Sequence, residues 1–129
     1  QVTLVTVGSY TGTARVAVDR AREEGLQAGL IKVRFVRPFP RERLARALAG
    51  KKAVGVIDRS VCFGWSCGPL FMEMKGVLSD LDGPLPAADF IDGLAGGDIT
   101  VEHMGRALEV LAQAARGEAF PEVTWLALE

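Results

Sequence analysis

The chain opens on an unbroken apolar and β-branched run, Val2-Thr3-Leu4-Val5-Thr6-Val7. Such a run predicts a strand buried on both faces of a sheet. Gly8-Ser9-Tyr10-Thr11-Gly12 interrupts it, and from Thr13 the small apolar residues Ala14, Ala17, Val18 and Ala21 recur at helical spacing. Arg15, Asp19, Arg20, Arg22 and Glu23 fill the opposite side, and Gly25 stands where a C-cap belongs. The pattern is that of an amphipathic helix packing closely through alanines. A second strand is predicted over about 29–36, through Leu30, Ile31, Val33, Phe35 and Val36. Arg37-Pro38-Phe39-Pro40 closes it, because the prolines cannot continue a ladder. A short helix through Leu44, Ala45 and Leu48 follows.

The third strand is Ala53-Val54-Gly55-Val56-Ile57, ending in Asp58-Arg59, with Gly64, Trp65 and Gly68 in the loop beyond. Its helix carries Leu70, Phe71, Met74, Val77 and Leu78 on one face. Asp80-Leu81-Asp82-Gly83-Pro84 is a turn-rich connector to a short strand over Ala88–Ile91, which runs into Gly93-Leu94-Ala95-Gly96-Gly97-Asp98. Thr100 is a suitable N-cap for a last helix through Val101, Met104, Leu108, Leu111 and Ala115, ending near Arg116-Gly117. The segment Val123–Leu128 either adds a strand or drapes over the domain. Strands alternating with helices through short connections predict a mostly parallel sheet covered on both faces.

Composition narrows the functional classes. At 129 residues, 49% apolar and 24% charged, the chain is long enough for one globular domain with a real core. Fifteen basic and sixteen acidic residues leave a formal charge of −1, without the clustered basic face that nucleic acid or an anionic lipid surface requires. No nucleic-acid or membrane partner is therefore expected. Without a membrane-length apolar run or a leader pattern, the expected location is the cytoplasm. The two cysteines, Cys62 and Cys67, are expected as reduced thiols, and could supply at most half of the four thiolates an iron–sulfur cluster usually takes. The chain starts at Gln1 and enters a strand pattern at once, which reads as the start of an excised domain.

The unusual residues cluster topologically. Gly8-Ser9, Arg37 to Pro40, Asp58-Arg59 and Gly96-Gly97-Asp98 each follow a strand, and in a parallel sheet those ends share one edge, where ligands and partners usually meet the fold. The same glycines and prolines also serve tight turns. Gly8, Ser9 and Gly12 are weak candidates for a phosphate cradle at a helix start, since the run has neither G-x-G-x-x-G spacing nor a P-loop lysine. Asp58-Arg59 reads as an internal ion pair pinning its loop or as charges offered to a neighbour. His103, beside Glu102, reads as a surface helix histidine, and no catalytic triad, zinc-ligand set or carboxylate pair assembles from the chain. Met72 and Met74 read as core, whereas Trp65, between glycines, needs a partner to bury it.

Taken in order, Val5 to Ser9, Arg22 to Gly25, Gly29 to Arg34, Arg37 to Pro40, Val56 to Ser60, Phe63-Gly64, Gly68 to Leu70 and Gly93 to Thr100 resemble the 2-oxoacid:ferredoxin oxidoreductases, of which pyruvate:ferredoxin oxidoreductase is the best known. The match is to the second core domain of the α-subunit, which is similar to the C-terminal domain of transketolase. The resemblance implies an α/β fold, a three-layer α/β/α sandwich whose mostly parallel sheet has one antiparallel strand. It places the domain at 1–117 and its C-terminal tail at 118–129, with Trp125-Leu126 resembling the end of an α-subunit and the missing part lying before Gln1.

These enzymes oxidatively decarboxylate a 2-oxoacid, pyruvate in the best-known case, to an acyl-CoA. They use thiamine diphosphate with Mg, coenzyme A and iron–sulfur clusters, and reduce ferredoxin. The resemblance implies that other domains or subunits hold these cofactors, and that this domain is a non-catalytic scaffold within an oligomeric assembly. The expected interface residues are Arg37, Pro38, Phe39, Asp58, Arg59, Phe63, Trp65, Gly96 and Asp98. One departure stands out: where the family often reads Gly-Leu-Gly-Gly-Arg-Asp, this chain has Ala95 and Gly97, losing a bidentate donor. The other reading the residues allow is a free-standing module that binds a phosphate or nucleotide at Gly8 to Thr13.

Overall fold

The computed structural model describes residues 1–128. Five strands, β1 (Val2–Val7), β2 (Ala28–Val33), β3 (Ala53–Asp58), β4 (Ala87–Ile91) and β5 (Val123–Trp125), form one sheet in the order β2-β1-β3-β4-β5. The helices are α1 (Thr11–Glu23), α2 (Arg41–Leu48), α3 (Pro69–Leu78) and α4 (Val101–Ala115), with short 3-10 turns at Leu94–Gly96 and Leu126–Leu128. α1 and α4 pack together over one face of the sheet, and α2 and α3 over the other, giving three layers.

Strand alternation divides the core. Val2, Leu4, Ala53, Ile57, Ala88 and Phe90 face α1 and α4, while Val5, Val33, Val54 and Val56 face α2 and α3. Because both faces are covered, the strands read as continuous apolar runs. Gly55 leaves room for the side chains packed against it: a Cβ there would lie 2.7 Å from the Phe90 ring and 2.8 Å from Leu111.

Two expectations need correction. Every strand pair among the described residues is parallel, so the antiparallel strand implied by the resemblance is not found; β5 runs parallel to β4, with Phe90 opposite Thr124. The second strand stops at Val33, and Arg34 to Val36 leave the sheet ahead of a cis Arg37–Pro38 peptide, with Phe35 72% exposed. The tail does add a strand, and Leu126 beyond it is buried in the α1–α4 core.

Candidate functional site at the carboxyl edge of the sheet

The sheet order reverses between β1 and β3: β2 lies on one side of β1, and β3, β4 and β5 on the other. The loops beyond these two strand ends therefore diverge and leave a crevice. Tyr10 forms its floor on the β1 side. Its hydroxyl donates to the Ile57 carbonyl at 2.9 Å and accepts from the Val7 N–H at 3.3 Å, so one side chain ties the ends of β1 and β3 together. Burial pushes its phenol up to about 12.

On the β3 side the cleft is shaped by α3, which nothing in its own sequence caps. Gly68 precedes Pro69 and has no side chain to offer. The sheet supplies the cap instead: Asp58 accepts from the Leu70 and Phe71 N–H groups at 3.0 and 2.9 Å, and Asp89 accepts from the Gly68 N–H at 2.7 Å. Both carboxyls are buried, and the charge of each acts on the other. Burial raises both above the ordinary aspartate range, Asp89 to about 8, so Asp89 carries the proton of the pair. Its Oδ1 is buried and has no hydrogen-bond partner among the described residues.

Asp58 is thus turned into the fold, with its carboxylate occupied by the helix start. It forms no ion pair with Arg59, and the expectation of Asp58 as a charge offered to a partner is corrected. Arg59, next in sequence, is exposed and passes over Gly93; its Nε lies 3.0 Å from where a Cβ on that residue would project. Arg37 stands on the opposite rim, paired with Glu73 at 2.7 Å and donating to the Val36 carbonyl at 2.6 Å. Between them lies a cleft of about 420 Å³ whose walls are chiefly apolar, from Val7, Tyr10, Val36, Phe39 and Leu70.

Next to it is a smaller polar cleft of about 260 Å³, lined by Ser9, Thr13, Arg59, Gly96 and Asp98 among others. Gly8 (φ +77°), Ser9 and Gly12 are exposed at the start of α1, but the N–H groups of Thr11 and Gly12 already donate to the Gly8 and Ser9 carbonyls. Ala95 takes φ 53° in the left-handed region. Pro38 is exposed and Phe39 half-buried.

His103 lies in the first turn of α4, where Thr100 caps its N–H at 3.1 Å as the sequence predicts. Its ring is not a free surface imidazole: Nδ1 lies 2.9 Å from Oδ2 of Asp92, a fully buried carboxylate whose Oδ1 accepts from the Gly93 N–H. Two buried acids that the pattern leaves unremarked, Asp89 and Asp92, thus organise the edge. The available signal is a lone aspartate within an apolar strand, and another just past its end.

The exposed large apolar side chains are concentrated here. Phe35, Val36, Phe63, Trp65, Trp125 and Leu128 all lie at or beyond the carboxyl ends of strands; among the described residues only Val16, on α1, lies elsewhere. Phe63 is fully exposed and Trp65 63% exposed, on the loop between β3 and α3. Cys62 and Cys67 at the base of that loop are free thiols joined by a backbone hydrogen bond of 2.9 Å, and burial pushes the Cys67 thiol up. Among the described residues no three His, Cys, Asp or Glu side chains group as metal ligands, and no helix is long and apolar enough to cross a membrane.

Residues 1–104 match the family model of the pyruvate:ferredoxin oxidoreductase core domain II. The α-subunit of NADH-dependent phenylglyoxylate dehydrogenase from Aromatoleum evansii is 48% identical over 124 residues, 95% of this chain and 30% of that protein. Pyruvate synthase subunit PorA from Thermotoga maritima is 39% identical, covering 82% of this chain and 27% of the relative. Ketoisovalerate oxidoreductase subunit VorA from Pyrococcus furiosus is 36% identical, covering 95% and 31%. The chain thus spans about 30% of the length of these curated relatives.

Proposed function

Because this chain belongs to the pyruvate:ferredoxin oxidoreductase core domain II family, we propose that it is a structural and assembly domain of the α-subunit of a 2-oxoacid:ferredoxin oxidoreductase. The parent enzyme oxidatively decarboxylates a 2-oxoacid to an acyl-CoA with thiamine diphosphate, magnesium, coenzyme A and iron–sulfur clusters held by its other parts. It passes the electrons to ferredoxin in the cytoplasm, as an oligomeric assembly. The unit is residues 1–117 with the tail 118–129 as part of the same domain, a reading supported by the pairing of β5 with β4. Relatives are named for pyruvate, ketoisovalerate and phenylglyoxylate, so the proposal is the 2-oxoacid class, with pyruvate as the first substrate to test.

The observation that carries the scaffold reading is the gathering of exposed Phe35, Val36, Phe63 and Trp65 at one edge. Monomer surfaces seldom leave such a patch bare. The occupant is the remainder of the α-subunit, since relatives continue well beyond this domain. The test is anaerobic isolation of the native enzyme, with the intact mass of the polypeptide, its co-purifying chains, and its iron and thiamine contents. A much heavier chain travelling with iron–sulfur subunits and reducing ferredoxin with a 2-oxoacid is the expected result. A lone chain of this length, free of both and giving micromolar heats with nucleotides in calorimetry, would overturn the reading.

A further inference from the structure

Arg59 stands between the two clefts of the carboxyl edge and lines both. Its placement is specific. Gly93 adopts φ +69° and its backbone is buried, and the space a side chain would fill there is occupied by the Arg59 Nε and by Ile99. Its counterpart on the other rim, Arg37, is already neutralised by Glu73 at 2.7 Å. Arg59 has no ion pair or hydrogen bond to any described residue, and Asp98, in the same polar cleft, lies beyond ion-pair distance. The rim therefore carries one positioned but unmatched guanidinium, beside a mostly apolar cleft and on the same β3–α3 loop as the exposed rings of Phe63 and Trp65.

A cation at the centre of an apolar docking edge loses its water when the edge is covered. That loss is unfavourable unless the covering surface returns an opposite charge. A carboxylate matches the planar fork of a guanidinium with two parallel hydrogen bonds. Resting on the docking reading above, we infer that Arg59 is the receptor for an aspartate or glutamate side chain of the α-subunit surface that covers this edge, with an apolar side chain beside it seated in the cleft between β1 and β3.

The test uses the complete enzyme carrying Arg59→Lys, which keeps the charge and supplies an amine. A carbodiimide couples an amine to a carboxylate only where the two are in contact, and peptide mass spectrometry locates the link. The Lys75–Glu122 pair, at 2.7 Å, is the internal positive control. The expected result is a link from position 59 to an acidic residue outside residues 1–129, absent from the wild-type enzyme. Hydroxyl-radical footprinting of the wild-type enzyme runs alongside, with Phe63 and Trp65 as reporters; Arg59→Glu is expected to raise Trp65 oxidation several-fold. If the control link forms and position 59 gives none, or links only within the domain, while both aromatics are protected, the acid receptor is wrong and docking stands. If Phe63 and Trp65 oxidise as freely as in an exposed peptide, the docking reading fails and this inference with it.

Discussion

The carboxyl group of Asp58 fills the space beside the Cα of Gly68 so completely that a Cβ there would overlap it. Gly68 has φ −85°, which any residue adopts, so the requirement is for room and not for a special backbone. Through this contact the end of β3 grips the start of α3 and fixes one wall of the cleft. Gly68→Ala must displace either the carboxylate or the helix, and overpacking together with a weakened charged hydrogen bond is expected to cost about 3 kcal/mol. Urea unfolding of the chain measures it; a loss below about 0.5 kcal/mol would mean that Asp58 moves aside freely.

The raised value of Asp89 makes stability depend on pH in an unusual direction. Asp89 has a folded value of about 8 against an ordinary 3.8, so between these values the folded protein binds a proton that the unfolded chain has released. Stability is therefore expected to fall as pH rises from about 4 to about 8, then to level off. Asp89→Asn, which keeps an acceptor for the Gly68 N–H and donates permanently towards Asp58, should flatten the slope and be the more stable protein at pH 8. Melting temperatures of the two proteins across pH 5–9 decide it; parallel curves would show that the pair does not titrate as stated.

These two relationships also mark the limit of what the pattern of residues discloses. Elements such as β1 and β3 are legible because both faces are covered, and burial writes itself as an apolar run. Phe35 and Val36 prolong the apolar pattern of β2, which for the same reason predicts strand there, yet they lie outside the strand and are exposed. Apolarity alone does not separate a residue meant for the core from one meant for a partner. Asp58 with Gly68, and Asp92 with His103, are joined only by the packing of α3 and α4 onto the sheet, so neither pairing has a local signature.

His103 and Asp92 give a third expectation. Asp92 is wholly buried, and Oδ2 has the His103 ring as its partner. His103→Ala leaves that oxygen without its donor and should cost about 1–3 kcal/mol, although the histidine itself is a third exposed and lies in a well-capped helix start. Chemical denaturation at pH 7 is the measurement. A change within about 0.5 kcal/mol, the usual size for a surface helix substitution, would show that the pair does not support the fold.

Ala95 occupies a left-handed backbone position at φ 53°, in the turn between β4 and α4, where a Cβ is crowded by its own chain. Ala95→Gly relieves this and is expected to raise stability by about 0.5–1 kcal/mol, with part of the gain offset by the freer unfolded chain. A fall in the unfolding midpoint would mean that the turn relaxes once the domain is in solution.

The loop from β3 to α3 separates folding from assembly. Phe63 and Trp65 project from it without burying into either core, so removing them takes little from the folded domain. Phe63→Ser and Trp65→Ser are each expected to leave the unfolding free energy of this chain within about 0.5 kcal/mol of wild type. On the docking reading proposed above, the same rings are anchors in the complete enzyme, and their apolar area is removed from water only on docking. Truncating such an anchor at the centre of an interface commonly costs 2 kcal/mol or more, which is about 30-fold in an association constant. Because the covering surface belongs to the same α-subunit, the readout is exposure and not dissociation: hydroxyl-radical footprinting of the complete enzyme should show the edge of both variants oxidised several-fold more than in wild type. Equal losses in the lone domain and in the enzyme would instead assign the two rings to the stability of the fold, and the carboxyl edge would no longer qualify as the docking face.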